Sequence, residues 1–260
     1  MSFGVAMETL ISDIKYGWRL IVKNPFFSMT VVVVLALGIG ANTALFSVIN
    51  AVLLKPLPYQ DAEQLVMLWQ RFPGIGLPKD QNFTSPPELI DVRRYSSAFS
   101  DVAAMQPTGV NIRVGDTPEM IPGQRVSANF FKLLGTEAQL GRMFLPEEEQ
   151  LGRDTVLVLS HGLWQSRFGS DPGIVGRAIN ANGRPYTVVG VAPPGFRDPW
   201  APNASVWTPL AFTEQQLTQR GNHFLSVVAR IRPSLTLEQA RADMRATPSR
   251  SRFGTSIASS

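Results

Sequence analysis

Phe26–Leu54 reads FFSMTVVVVLALGIGANTALFSVINAVLL, and between Lys23 and Lys55 the chain carries no charge for 31 residues. A bilayer core is crossed by roughly 20 apolar residues rising about 1.5 Å each as helix, so these 29 residues overshoot it by a few turns. Residues 25–54 are therefore expected to form a membrane anchor, the surplus standing out as a short stalk. Lys15, Arg19 and Lys23 precede the run, whereas Lys55 is the one basic residue in the equivalent distance after it. That asymmetry places the N-terminus in the cytoplasm and the remainder of the chain outside. A cleaved signal peptide would have an apolar core about half as long followed by a small-x-small site, and this run ends in Val52-Leu53-Leu54.

Working outward, Leu10, Ile14, Trp18 and Ile21 recur on one helical face, with Asp13, Lys15 and Lys23 elsewhere around it. Residues 1–24 are read as an amphipathic helix lying in the cytoplasmic headgroup plane, ended by Asn24-Pro25.

Within the span, the valine run followed by Gly38-Ile39-Gly40-Ala41-Asn42-Thr43 imitates a dinucleotide-binding turn. The imitation fails because Thr43 occupies the third glycine position and the apolar run continues with no polar face. Helical geometry gives the small residues a different use. At about 100° per residue Ala36, Gly40, Ala44, Ser47 and Ala51 share one narrow arc, with Thr43 and Asn50 beside it. Such a stripe lets a second membrane helix approach closely and exchange side-chain hydrogen bonds, so it predicts packing against helices this chain does not contain.

Beyond Lys55 the charges nearly balance, 20 Lys+Arg against 18 Asp+Glu, so the overall pI near 9.7 is no argument for nucleic acid as a partner. Cysteine is absent, which excludes disulfides and thiolate metal sites. Strands are expected at Leu65–Trp69, Ser100–Met105, Asn111–Val114, Met120–Val126, Val156–Leu159, Arg177–Asn180, Tyr186–Val191, Val206–Pro209 and Phe224–Ile231. Helices are expected at Pro87–Arg94, Ala128–Leu134 and Gly162–Phe168, and the capping box Thr236–Gln239 opens another carrying Leu237, Ala240 and Met244 on one face. Ala181-Asn182-Gly183 signals a hairpin, and Pro193–Gly195 and Asp198–Asn203 are the loosest internal linkers. The class is α+β.

The catalytic inventory is thin. The two histidines, His161 and His223, form no metal-binding pair, and Ser160-His161 lacks the surroundings of a nucleophile elbow. Glu147-Glu148-Glu149 after Pro146 reads as a solvated turn or helix start rather than as paired acids. Trp69, Trp164, Trp200 and Trp207 read as core or interface residues. No catalytic, metal or cofactor site is expected, and no G-x-x-x-x-G-K-[ST] occurs to cradle a nucleotide.

Several strings carry a resemblance: Lys23-Asn24-Pro25, LALGIGANTALFSVINAVLLKPLPY (Leu35–Tyr59), RVSANFFKLLG (Arg125–Gly135), LGRMFLPEE (Leu140–Glu148), VLSHGLWQSRFG (Val158–Gly169), YTVVGVAPPGF (Tyr186–Phe196) and RGNHFLSVVARIRPSLTLEQAR (Arg220–Arg241). In this order they resemble the opening half of a MacB-like, FtsX-type ABC transporter permease, nearest to the large duplicated permeases of soil bacteria. The resemblance implies a mixed α/β, two-lobed periplasmic core domain over residues 55–246, anchored in a bacterial inner membrane. It also implies three further helices, a cytoplasmic ABC ATPase subunit that hydrolyses ATP, and other permease helices or a second permease copy as partners. Motion, and not conduction through a pore, would be passed to the periplasmic domain for export or efflux.

The chain departs from that pattern after Ala246. Residues 247–260 are Ser-rich and without period, so a disordered tail is expected, together with a sheet edge left unpaired by a missing last strand. No second apolar span follows, and the chain reads as a fragment of a permease. The alternative is a stand-alone anchored periplasmic binding or sensor module.

Overall fold

The computed structural model describes residues 23, 25–49, 59, 61–70, 83–114, 117–246 and 253–257. The chain divides into two units, Met1–Pro56 and Leu57–Ser260. The expected amphipathic helix over residues 1–24 lies outside the described residues apart from Lys23.

In the first unit, helix α1 spans Pro25–Ile49 without a charged residue. Its 18-residue segment Met29–Phe46 has a mean hydropathy of 2.1 and none of it is buried. Val31–Val34 are β-branched and poor helix formers in water, yet they are helical here. Hydrocarbon offers no partner for backbone groups, so a helix that bonds them internally is the conformation such a run takes in a membrane. Thr30 adds a bond from Oγ1 back to the Phe26 carbonyl, 2.9 Å.

The second unit is built on strands β1 Leu65–Gln70, β2 Phe99–Val114, β3 Thr117–Val126, β4 Leu140–Gly141, β5 Val156–Leu159, β6 Ala178–Ala181, β7 Arg184–Val191, β8 Val206–Pro209, β9 Ser226–Ile231 and β10 Phe253–Ile257. Helices α2 Pro86–Tyr95, α3 Phe130–Leu133, α4 His161–Phe168, α5 Glu214–Thr218 and α6 Leu237–Ala246 pack around them. The strands form one sheet ordered β10-β1-β9-β2-β3-β8-β5-β7-β4, with β6 bridging β2 and β7. This mixed α/β architecture matches the expected class.

β6 turns part of that sheet into a ring. Following the pairings β2-β3-β8-β5-β7-β6 returns to β2 through the single bridge Ile112↔Ala181, reinforced by Asn182 N donating to the Asn111 carbonyl at 2.8 Å and Asn111 N donating to Asn182 Oδ1 at 2.9 Å. Val110, Ile112, Ile121, Leu157, Leu159, Val188 and Val206 form its apolar interior, and Leu163 and Trp164 of α4 pack there too. An open sheet of β10, β1, β9 and the first half of β2 makes the other lobe, covered by α2 and α6 through Leu89, Val92, Ala240 and Met244. The two lobes implied by the resemblance thus share strand β2 and are not separate bodies.

β2 corrects one reading. Two strands were expected, broken at Gln106–Val110, but the 16 residues are continuous. Alternate residues of β2 direct their backbone groups toward β3 and its continuation, as Ala104 does by accepting from Ser127 N, just past β3, at 2.9 Å, and the others direct theirs away, as Asn111 does. Pro107 belongs to the second set and lies after the last β9 partner, Met105, and before the β6 bridge. Its missing N–H therefore faces a stretch with no partner strand.

The expected disordered tail is also corrected in part. Phe253–Ile257 form β10, antiparallel to β1 from Gln70↔Phe253 to Val66↔Ile257, and they cover the β1 edge, although a sheet edge was expected to stay unpaired. The polar composition of residues 247–260 hid this, because edge pairing is made by backbone groups and needs few large side chains. The remaining tail residues lie outside the described residues.

Most other elements follow the sequence closely. Asn182 and Gly183, both at positive φ (52° and 76°), make the β6–β7 hairpin. The Thr236 box closes with Thr236 N to Gln239 Oε1 at 2.8 Å and Gln239 N to Thr236 Oγ1 at 3.3 Å. Helix α3 is a single turn, shorter than expected, and α5 with its own capping box, Thr213–Gln216, was not foreseen.

Candidate functional site

Of the expected membrane packing face, Ala36, Gly40, Thr43 and Ala44 lie exposed on α1. A Cβ built on Gly40 or Gly38 would meet nothing within 4 Å. Ser47 belongs to the helix, but its side chain, like Asn50 and Ala51, lies outside the described residues.

The second unit has a distinct grip on its own first residues. Tyr59 donates its hydroxyl to the Arg197 carbonyl. Asp61, at φ 45°, turns the chain into a short 3-10 helix before β1, a left-handed conformation that aspartate tolerates better than most residues. Arg230 of β9 holds that turn: Nη1 donates to the Asp61 carbonyl at 3.0 Å while Nη2 donates to the Leu133 carbonyl of α3 at 2.6 Å.

Beside Arg197 lies Asp198, only 1 % exposed. Its Oδ1 accepts from Trp200 N at 3.0 Å and Ala201 N at 3.1 Å, and its Oδ2 from Trp207 Nε1 at 3.0 Å. Burial pushes its carboxyl above the ordinary aspartate range, against those three bonds, which favour the charged form. The Tyr59 hydroxyl is pushed up to about 12, first by burial and then by the Asp198 charge. Trp207 is fully buried and meets Phe131 and Phe196 at ring distances of 5.6 and 5.5 Å. Asp198–Asn203 is therefore no loose linker: an internal acid ties it to the aromatic core. Sequence reading missed Asp198 and Arg230, since nothing local marks either residue; Tyr59 was visible only as the end of a quoted string.

The acidic run is likewise corrected. Pro146–Glu149 form a 3-10 helix, as a helix start would, but Glu148 is buried and paired with Arg142 through two bonds of 2.7 and 3.1 Å. Glu149 accepts from Ala128 N at 2.7 Å and pairs with Arg93 at 3.0 Å. Glu149 fastens the β3–α3 corner, and Glu148 fastens the turn that follows β4. Ser160 caps α4 by accepting from Leu163 N at 3.1 Å, His161 Nδ1 lies 2.7 Å from Gln139 Oε1, and His223 Nε2 lies 3.3 Å from Glu88 Oε2. Each of these bonds joins neighbouring elements.

A ring lobe beside an open sheet, joined by one long strand and preceded by an apolar helix, can be compared with known families. Residues 28–247, most of the chain, match the family described as MacB-like periplasmic core domain. The chain belongs to that family. Among solved structures, the periplasmic region of MacB from Actinobacillus actinomycetemcomitans superposes with a TM-score of 0.56 at 14% identity, covering 76% of this chain and 90% of that one. The extracellular domain of the ABC-type transporter YknZ from Gram-positive bacteria gives 0.54 at 15% identity, covering 74% and 99%. At such identities the likeness is one of fold. A comparison with curated protein sequences gave no match. The MacB-like match begins inside α1 and ends just after α6, so β10 lies beyond it.

Proposed function

We propose that the chain is the membrane-anchored portion of an ABC transporter permease subunit, which receives motion driven by a cytoplasmic ATPase and delivers it to an extracytoplasmic domain for export. The observation that carries this reading is the MacB-like match, which runs unbroken from the apolar helix into the ectodomain. The N-terminus is cytoplasmic and the second unit lies outside, in keeping with the basic residues ahead of α1. The small-residue face of α1 is the surface for other permease helices. The bonds from Arg230 and Tyr59 make the entry to the ectodomain stiff, so a displacement of the entering chain reaches β9, α3 and the aromatic core together.

The test is purification of the tagged full chain from its native membrane in mild detergent, with Gly40→Leu in parallel. Recovery of an ABC ATPase subunit with the parent chain, lost in the variant, supports the reading. Recovery of the parent chain alone overturns it and favours an anchored binding or sensor module.

A further inference from the structure

The ring of β2, β3, β8, β5, β7 and β6 has two different ends. At the end where β5 finishes, α4 packs Leu163 and Trp164 against the apolar interior. At the opposite end the inward positions turn polar. Period-2 alternation places Thr108 on the same side of β2 as Val110, Arg125 on the same side of β3 as Ile121, and Thr208 on the same side of β8 as Val206. Tyr186 and Arg184 stand in line with Val188 on β7. These side chains, with Asp154 ahead of β5 and Val110 below, line a cavity of about 250 Å³.

Its charges are not spent on one another. Arg125 is half-buried and, among the described residues, donates one bond, from Nη2 to the Ala211 carbonyl at 2.7 Å, a neutral partner. Neither Arg125 nor Arg184 forms an ion pair among the described residues, although Asp154 lines the same cavity and accepts from Gly152 N at 3.0 Å. A guanidinium has five N–H donors in a planar fork suited to carboxylate. Arg125 therefore keeps unused donors in a half-enclosed site, where a charge-assisted bond is stronger than at an open surface. The Thr208 hydroxyl and the Tyr186 phenol add uncharged donors around it.

We propose that this barrel mouth is a binding site for a small monocarboxylate, held by Arg125 and Arg184 over the apolar floor. The Asp154 carboxylate in the lining opposes a dianion, which favours carboxylate over phosphate. The volume accepts a group of a few non-hydrogen atoms, either a free acid or the carboxylate end of a peptide. This site is independent of the proposed transport role.

Ligand-observed NMR on the full chain in lipid nanodiscs tests it with lactate, N-acetyl-dialanine, lactamide and inorganic phosphate as probes. Lactate or N-acetyl-dialanine should bind, the tighter of the two naming free acid or peptide end as the source, with lactamide and phosphate about tenfold weaker or silent. Arg184→Ala, on the exposed hairpin, and Arg125→Lys, which keeps the charge but loses the fork, should each weaken binding about tenfold. Melting curves of both variants check that the fold is intact. No carboxylate binding by the parent chain at millimolar concentration, or binding unchanged in both folded variants, overturns the site, and phosphate binding as well as lactate overturns the carboxylate assignment.

Discussion

The hydroxyl of Tyr59 donates to the carbonyl of Arg197, joining the first described residue of the second unit to the loop that carries the buried Asp198. The bond spans 138 positions in sequence and fastens the entering chain to the aromatic core.

Asp198 should make stability depend on pH in an unusual direction. Its folded carboxyl titrates above the ordinary aspartate value of about 3.9, so its contribution to stability is complete below that value and is lost as pH rises through the folded one. Urea midpoints measured from about pH 4 upward should fall with pH in the parent chain and fall less in Asp198→Asn. Equal slopes would remove Asp198 as the cause.

Trp207→Phe keeps the ring stacking but deletes the N–H that reaches Asp198 Oδ2. Leaving a buried carboxylate oxygen unpaired should cost about 1–3 kcal/mol, read from chemical denaturation. A variant as stable as the parent would show that the oxygen finds another donor.

Arg230→Ala should free the entry turn, because the Asp61 and Leu133 carbonyls lose a common donor. A loss of about 1–3 kcal/mol is expected, with faster amide exchange at Ala62–Gln64 than at β8. Uniform exchange across both segments would argue against a local grip.

The pairing of β10 can be tested by a disulfide, since the chain has no native cysteine. Gln70 and Phe253 are Cα partners, and facing residues of an antiparallel pair lie about 4.5–5.5 Å apart, within disulfide range. Gln70→Cys with Phe253→Cys should oxidise within one chain, detected as a loss of two hydrogens by mass spectrometry. Persistent free thiols would show that the strand does not dock in this register.

Gly40→Leu should weaken association with complementary membrane helices while leaving the second unit folded, because a leucine holds the neighbouring backbone away. A membrane two-hybrid signal unchanged from the parent would count against the packing face.

Residue patterns made most strands and helices legible, because alternation, capping boxes and Asn-Gly turns act within a few residues. The Val156–Leu159 strand and the Thr236 cap emerged as read. Reading failed where a distant partner decides. β2 read as two strands until its continuous pairing with β3 was seen, and Glu148 read as solvated until Arg142 faced it.

The sequence by itself determined the apolar helix, the α+β class and the MacB-like membership, since the length of an apolar run, its periodicity and its motif strings are properties of neighbouring residues. Only the tertiary structure decided that β6 closes a ring, that β10 covers β1, and that Asp198 is an internal acid. Each of these depends on backbone or side-chain groups brought together from distant segments, and a buried polar group reveals its role only when its partners are in place.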